Sequence, residues 1–526
     1  VNDHAGEHGR IARRAGVVAT GTLASRLLGL VRDQTIAALF PRATTDAFFV
    51  AFTIPNVLRQ LLAEGATQNA VLPVLTSVRE KEGDAAARSF FRALRGLSLV
   101  LLVLVSVLGI VFAPTLVRLF AGGYAAIEGQ LERTITLTRW VFPYIFFMGT
   151  AALGAAVLNA HKRFAVAAFA PGLLNVAFIV LAIALPPWLG ARGHEIGLAL
   201  VFGALVGGVL QVVVQWPSLR ALGYLERPSL ELGHPAVREV MRRMGPTFVG
   251  VGVYALDVLL ARRFLSDLGL GAQSYFNWAA RLCDFPQGIF VMALQTAALP
   301  SLALLAARGD RIELGKTFAF GMRFSLFVAI PATALLVGLA EPLVVLLFQR
   351  GEFDALAARE TARSLVAQGA GIALVAACRQ LVAVYYAIGD TRTPVLVAAI
   401  DLCVFIALAL GLRGPLGHVG VAWAVSGASF AQAVLLWALL GRKVPIRGHG
   451  IFGSTVRVLV ASAGAAAAGR GTIRLLAGGA GDGAFERALP GLAGALAFGV
   501  VYLGLAAVLR SPELAALVAR VRRRSP

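Results

Sequence analysis

Three charged side chains, Arg26, Arg32 and Asp33, stand inside an apolar stretch, SRLLGLVRDQTIAALF, that runs from Ser25 to Phe40. A second stretch, TTDAFFVAFTIPNVLRQLLAEGA, adds Asp46, Asn56, Arg59 and Glu64 around Pro55; a third, NWAARLCDFPQG, adds Arg281 and Asp284 before Pro286. A charge at the centre of a membrane span costs roughly 2.5–3.5 kcal/mol on insertion scales, so four arginines facing lipid would cost on the order of 10 kcal/mol. That cost falls if they line a wet cavity and meet an anion. Arginine suits the task, because it is always charged and its planar fork pairs bidentately with phosphate. Arg26, Arg32, Arg59 and Arg281 are the candidate anion-binding set, and Asp33, Asp46 and Glu64 can hold them between anions. A plainer reading stands beside this one. Arg26 and Arg32 snorkel from span ends, or pair with Asp33 and Asp46 as helix-packing glue. Asp46, after a Pro-containing turn, reads as a helix N-cap. On an ideal helix Arg26 and Asp33 share a face, Arg32 sits about 120° away, and Asn56 and Arg59 are surface neighbours.

The elements that carry these residues are membrane helices. Of 526 residues, 58% are hydrophobic and 14% charged, with mean hydropathy +0.78; a soluble chain carries about 25% charged residues. Apolar runs of 18 or more residues recur along the chain, each long enough to cross about 30 Å of hydrocarbon. They are continuous, not alternating, which excludes a β-barrel. The fold class is an all-α polytopic membrane protein of about fourteen transmembrane helices. The first span is Arg14–Phe40 and the second Thr44–Val78. The seventh is Val237–Phe264 and the eighth Gln273–Ala306, and the last two are Phe452–Leu476 and Arg487–Leu509.

An internal repeat organises the spans. APTLVRLFAGGY and AEPLVVLLFQRGEF align Pro114 with Pro342 and Phe120 with Phe348, at one and the same offset. VLPVL at Pro73 aligns with ALPSL at Pro300 at an offset shorter by one. By the same repeat, FPQG in the eighth span partners IPNV in the second. Spans 1–6 and 7–12 thus form two parallel six-helix repeats, or lobes, of a transporter plan, with the arginines near a seam between them. The expected domains are residues 1–220, 221–445 and 446–526, the last holding two extra C-terminal helices and a basic tail. Lys- and Arg-rich loops place both termini in the cytoplasm.

The net charge of +20 is assigned to loops and helix ends, where it sets topology and meets anionic head groups. No basic patch is interleaved with exposed aromatics, so nucleic acid is not an expected partner. Cys283, Cys378 and Cys403 lie at unrelated spacings and suggest neither disulfides nor a metal site. GDRIELGKT resembles a phosphate-binding loop, but five residues separate Gly309 from Gly315 where four are required. HEIGL at His194 lacks the second histidine of a zinc motif. No catalytic triad stands out; the chain reads as a non-enzyme without cofactors.

At these residues the sequence resembles the MurJ (MviN) family of lipid II flippases, within the multidrug/oligosaccharidyl-lipid/polysaccharide exporter superfamily. The likeness is carried by SRLLGLVRD, TDAFFVAFTIPNVLRQLLAEGA and LPVL, then by RLCDFPQG, LPSL, LFQRGEF and GDTRTP. It implies fourteen helices in two lobes around a cationic cavity, with the last two forming a groove for a lipid tail. It implies that Arg26, Arg32, Arg59 and Arg281 contact substrate, that Ser25, Asp33, Asp46, Asn56 and Glu64 belong to the cavity or its gating, and that Asp257 and Asp390 match an ion site. The implied substrate is lipid II, the undecaprenyl-pyrophosphate-linked disaccharide-pentapeptide. Alternating access would carry it from the inner to the outer leaflet of the bacterial plasma membrane, with peptidoglycan synthases as candidate partners. The sequence departs from the family at Ala280, at Gln60, and at Ala255 and Ala261 beside Asp257, so the resemblance does not carry sodium coupling with it. Two alternatives remain. One is a flippase for another polyprenyl-linked oligosaccharide, or a cation-coupled drug exporter, although a cation exporter should have an acidic cavity. The other is a non-transporting scaffold of the cell-wall machinery, in which the arginines would be dispensable.

Overall fold

The structure is a computed structural model that describes residues 2–61, 66–231, 233–288, 292–446, 449–477 and 483–522. It is helical, with no strand among the described residues, as hydrocarbon demands: with no water to bond, each backbone polar group must be satisfied within its own segment. The chain separates into two compact units, Val1–Leu270 and Gly271–Pro526. The first holds α1 (Asn2–Leu39), α2 (Arg42–Arg59), α3 (Ala66–Val111), α4 (Ala113–Ala121) and α5 (Gln130–Val141). It continues with α6 (Tyr144–Ala160), α7 (Phe164–Ala184), α8 (Pro186–Gly190), α9 (Leu198–Ala221) and α10 (Pro235–Ser266). The second holds α11 (Ala272–Pro286), α12 (Met292–Ala307), α13 (Arg311–Gly338), α14 (Ala340–Phe348), α15 (Ala355–Gly369) and α16 (Ile372–Ala387). It ends with α17 (Arg392–Leu416), α18 (His418–Leu440), α19 (Ile451–Ala477), α20 (Ala484–Val508) and α21 (Pro512–Arg522).

The repeat is visible element by element. The start of α4 at Ala113 recurs as the start of α14 at Ala340, and the ends of α1, α3 and α6 recur at the ends of α10, α13 and α16 with the same offset. Gly83 interrupts α3 with φ 89°, and Gly309 separates α12 from α13 close to the corresponding place with φ 72°. The second and eighth spans each draw on two described helices, α2 with the start of α3 and α11 with α12. Wide π turns, which recur at functional sites, follow α2 at positions 60–61 and α11 at positions 287–288, again in the register of the repeat. The two prolines do not coincide in this register: Pro55 precedes its wide turn by five residues and Pro286 directly adjoins its own. FPQG is therefore displaced by about one helical turn from IPNV instead of being its partner.

Ten described segments are long and apolar enough to cross a membrane. α10 opens the second copy of the repeat, yet it packs within the first unit, against α3 and α4. The connector between α9 and α10 is likewise fixed to that unit. Ser229 N donates to Arg92 O at 3.2 Å, Arg95 Nη1 donates to Tyr224 O at 3.2 Å, and Arg92 pairs with Glu231 at 3.4 Å. Gly96 allows the approach, since a Cβ there would lie 2.0 Å from Ser229 O. Beneath, Phe90, Phe91, Leu153, Val157, Tyr224 and Val240 form a shared core.

Two outcomes follow. Gly96→Ala should displace the connector, destabilise the protein by about 1–3 kcal/mol and speed cleavage after Glu226 by a glutamate-specific protease; a melting curve and a digest check both. Lys162 holds φ 59° where the repeat places Gly389 at φ 77°. Lys162→Gly should raise stability by about 0.5–1 kcal/mol, the reverse of the ordinary glycine effect, because the left-handed backbone is costly only for a residue with a Cβ. A higher melting temperature would show it.

Candidate functional site

A stripe of small residues along α1 sets up the site. Gly21, Ser25 and Gly29 recur every fourth residue, a pattern that lets two membrane helices approach closely. A Cβ on Gly21 would sit 3.0 Å from Ala168 of α7, and one on Gly29 would reach the Asn175 amide at 3.8 Å. Ser25 lends its backbone: its carbonyl accepts from Asn175 Nδ2 at 2.9 Å. Arg32 follows on the same helix, partly covered, with 15% of its side chain exposed. Its Nε and Nη2 donate to Asp33 Oδ1 at 2.9 and 2.7 Å, and its Nη1 donates to Asn175 Oδ1 at 3.0 Å. The Phe178 ring lies under the guanidinium, 5.4 Å from centroid to Cζ, at cation–π distance.

Phe178 belongs to an aromatic group that joins three helices. Its ring meets Phe48 at 6.0 Å and Phe52 at 6.1 Å, both edge-on, and Phe52 meets Tyr144 of α6 at 5.1 Å. One turn beyond Phe52 on α2, Asn56 Oδ1 accepts from Arg59 Nε at 3.0 Å. Arg59 is buried, and the π turn begins at the next residue. The first unit thus seats Arg32 on aromatic rings and ties Arg59 to an amide.

The other sequence candidates are placed as follows. Arg26 is half-buried on α1. Asp33 is buried and holds Arg32. Asp46 is fully buried, but it does not cap α2. Pro41 occupies the cap position and the helix begins at Arg42, which leaves Asp46 inside the second turn. Its thirteen-residue separation from Arg59 is about 20 Å along a helix axis, so the two lie at opposite ends of α2. Asp46 is instead close enough to Tyr124 to act on it: burial, then the Asp46 charge, push that phenol well above its ordinary range. Glu64 lies outside the described residues. Arg281 is exposed on α11 of the second unit, five residues before Pro286.

Asp257 is half-buried on α10 in the first unit. Asp390 sits in the turn before α17 and is fully engaged. It receives Lys443 Nζ at 2.5 Å, Thr393 Oγ1 at 2.6 Å and Thr393 N at 3.0 Å. Reading the sequence for charges near proline breaks passes over Asn175 and Phe178, which no local motif marks. It also passes over Arg379 in α16 and Asp401 in α17, half-buried charges within apolar helices that the rarity of intramembrane charge does flag.

Chemically, Arg32 is an anion donor with part of its capacity left over. A guanidinium has five N–H groups; among the described residues Asp33 and Asn175 take three, which leaves one on each terminal nitrogen.

Residues 36–479 match the family described as lipid II flippase MurJ. A relative from Burkholderia cenocepacia named lipid II flippase MurJ is 35% identical over 428 residues, 80% of this chain and 82% of the relative. Among solved structures, a lipid II flippase MurJ in an inward closed conformation superposes with TM-score 0.74 at 22% identity, over 94% of this chain and 99% of that one. An inward-facing multidrug resistance MATE family transporter superposes with TM-score 0.66 at 17% identity, over 80% of this chain and 94% of its own.

The Asp390 clasp gives a pH signature. Burial alone would raise the carboxyl, but the hydrogen bonds from Lys443 and Thr393 win and hold it at about 2. Because the folded value lies below the unfolded one of about 3.9, the stabilisation is present above pH ~4 and is lost as pH falls toward 2. Lys443→Met should lower the melting temperature at pH 7, and the gap to wild type should close as pH is taken from 4 to 2.

Proposed function

Because the chain belongs to the MurJ family of lipid II flippases, we propose that it moves lipid II from the inner to the outer leaflet of the bacterial plasma membrane. The four arginines Arg26, Arg32, Arg59 and Arg281 receive the diphosphate, and the isoprenoid tail stays in lipid along α19 and α20. The reading takes fourteen spans: the ten apolar segments plus α1, α2 with the start of α3, α10, and α11 with α12. Both termini then lie in the cytoplasm. Binding favours closure only through a difference in affinity between the two access states, and a cation gradient or the membrane potential resets the cycle. Peptidoglycan synthases are the proposed consumers of the delivered precursor.

The observation that carries this reading is the Arg32 seat. A guanidinium in a membrane helix keeps, among the described residues, one N–H to spare on each terminal nitrogen while Asp33, Asn175 and Phe178 hold it. Those two donors leave the guanidinium able to bond an anion, which arginine does strongly with phosphate. Packing glue would use the donors up.

Depletion in a bacterium, with complementation by Arg32→Ala or Arg281→Ala, tests it. Lipid II accessible at the outer leaflet should fall about 10-fold or more, in line with loss of a hydrogen bond to a charged group, at unchanged protein levels. Normal outward lipid II with both variants would overturn the reading and favour a scaffold.

A further inference from the structure

We propose that Asn175 is a positioning residue for substrate binding: it fixes the Arg32 guanidinium in the orientation that presents its two remaining N–H groups to the diphosphate. The proposal rests on the reading of Arg32 as part of the anion site.

The argument starts from how Asp33 holds Arg32. Both bonds from the guanidinium, through Nε and Nη2, converge on the single oxygen Oδ1. Two bonds to one atom make a pivot, not a clamp; a carboxylate that used both oxygens would fix the plane. The stacking of Phe178 limits tilt but leaves rotation in the plane of the guanidinium. The third polar contact, Nη1 to Asn175 Oδ1 at 3.0 Å, removes that last freedom.

Asn175 can supply it because its own amide is fixed. Nδ2 donates to the Ser25 carbonyl at 2.9 Å, so the amide cannot flip without losing both bonds. Ser25 and Arg32 are seven residues apart on α1, two helical turns, so one amide from α7 bridges two levels of the same neighbour. Gly29 lies between those levels, and with its Cβ position 3.8 Å from the amide it leaves room for the bridge. Asn175 is buried, so its Oδ1 needs a donor in any case; that the donor is the Arg32 guanidinium is what couples the α1–α7 joint to the arginine's orientation.

The test is a double-mutant cycle with purified full-length protein in proteoliposomes. It reads lipid II flipping and binding of undecaprenyl diphosphate, with melting temperature as a control. Asn175→Ala should reduce flipping and diphosphate affinity about tenfold, with little change in melting temperature. In an Arg32→Lys background, where the fork is gone, the same substitution should cost less than about twofold. If Asn175→Ala does not accumulate, Asn175→Gln keeps the amide but displaces it by one methylene, and the same loss is expected. An equal, additive loss in both backgrounds would reduce Asn175 to helix packing and overturn the proposal. If Arg32→Ala flips and binds normally, the anion-site reading itself fails; if Arg32→Ala is impaired and Asn175→Ala is not, only the positioning role fails.

Discussion

A guanidinium carried by a largely apolar helix and mostly withdrawn from solvent has to be held by protein groups, and the first unit is arranged around that requirement. Asp33 takes one edge of Arg32, Phe178 one face, and Asn175 one corner. Each demands something of its own helix. Asn175 reaches Ser25 only because Gly21 and Gly29 bring α1 against α7. Phe178 is steady because Phe48 and Phe52 of α2 brace its edge. The small-residue stripe, the aromatic group and the arginine are one construction, in which close backbone packing serves an electrostatic end.

The repeat shows how one architecture is used twice with different side chains. Element ends recur at a constant offset, and the wide turns fall at matching positions, yet the residues at the equivalent turn diverge. Lys162 bears a strained backbone where Gly389 bears none, and the next residue is Arg163 in one copy and Asp390 in the other. Asp390 has become a clasp on Lys443. The backbone plan is shared and the electrostatics are not.

Much of the fold was legible in the sequence because hydrocarbon imposes a simple rule: a run of apolar residues long enough to span must be helical. The repeat was legible because prolines and glycines at breaks are visible as letters. The candidate site was legible only in its charges. Arg26, Arg32, Arg59 and Arg281 announce themselves by charge in an apolar run, but what orients Arg32 lies far along the chain on α7, and an asparagine in a membrane helix carries no local mark of its partner. The N-cap reading of Asp46 failed because Pro41, with its fixed φ of −59°, lets the helix start sooner than a polar cap would. The matching of FPQG with IPNV failed because it followed the prolines, whereas the register of the repeat follows the helix ends and the wide turns.

The polar connector between α9 and α10 has the composition of a loose hinge, rich in charge and carrying prolines, but it is bolted to α3 through Gly96 and Arg92. α10 is held too, up to Ser266, whose hydroxyl receives Gly123 N at 3.3 Å. The covalent passage from one unit to the other falls at Leu270–Gly271, within the five residues Asp267–Gly271 between α10 and α11. Even fully extended, five residues reach no more than about 18 Å. That passage is therefore short and contains Gly269 and Gly271, with φ of 86° and 93°, while the longer segment that looks like slack is fastened within the first unit.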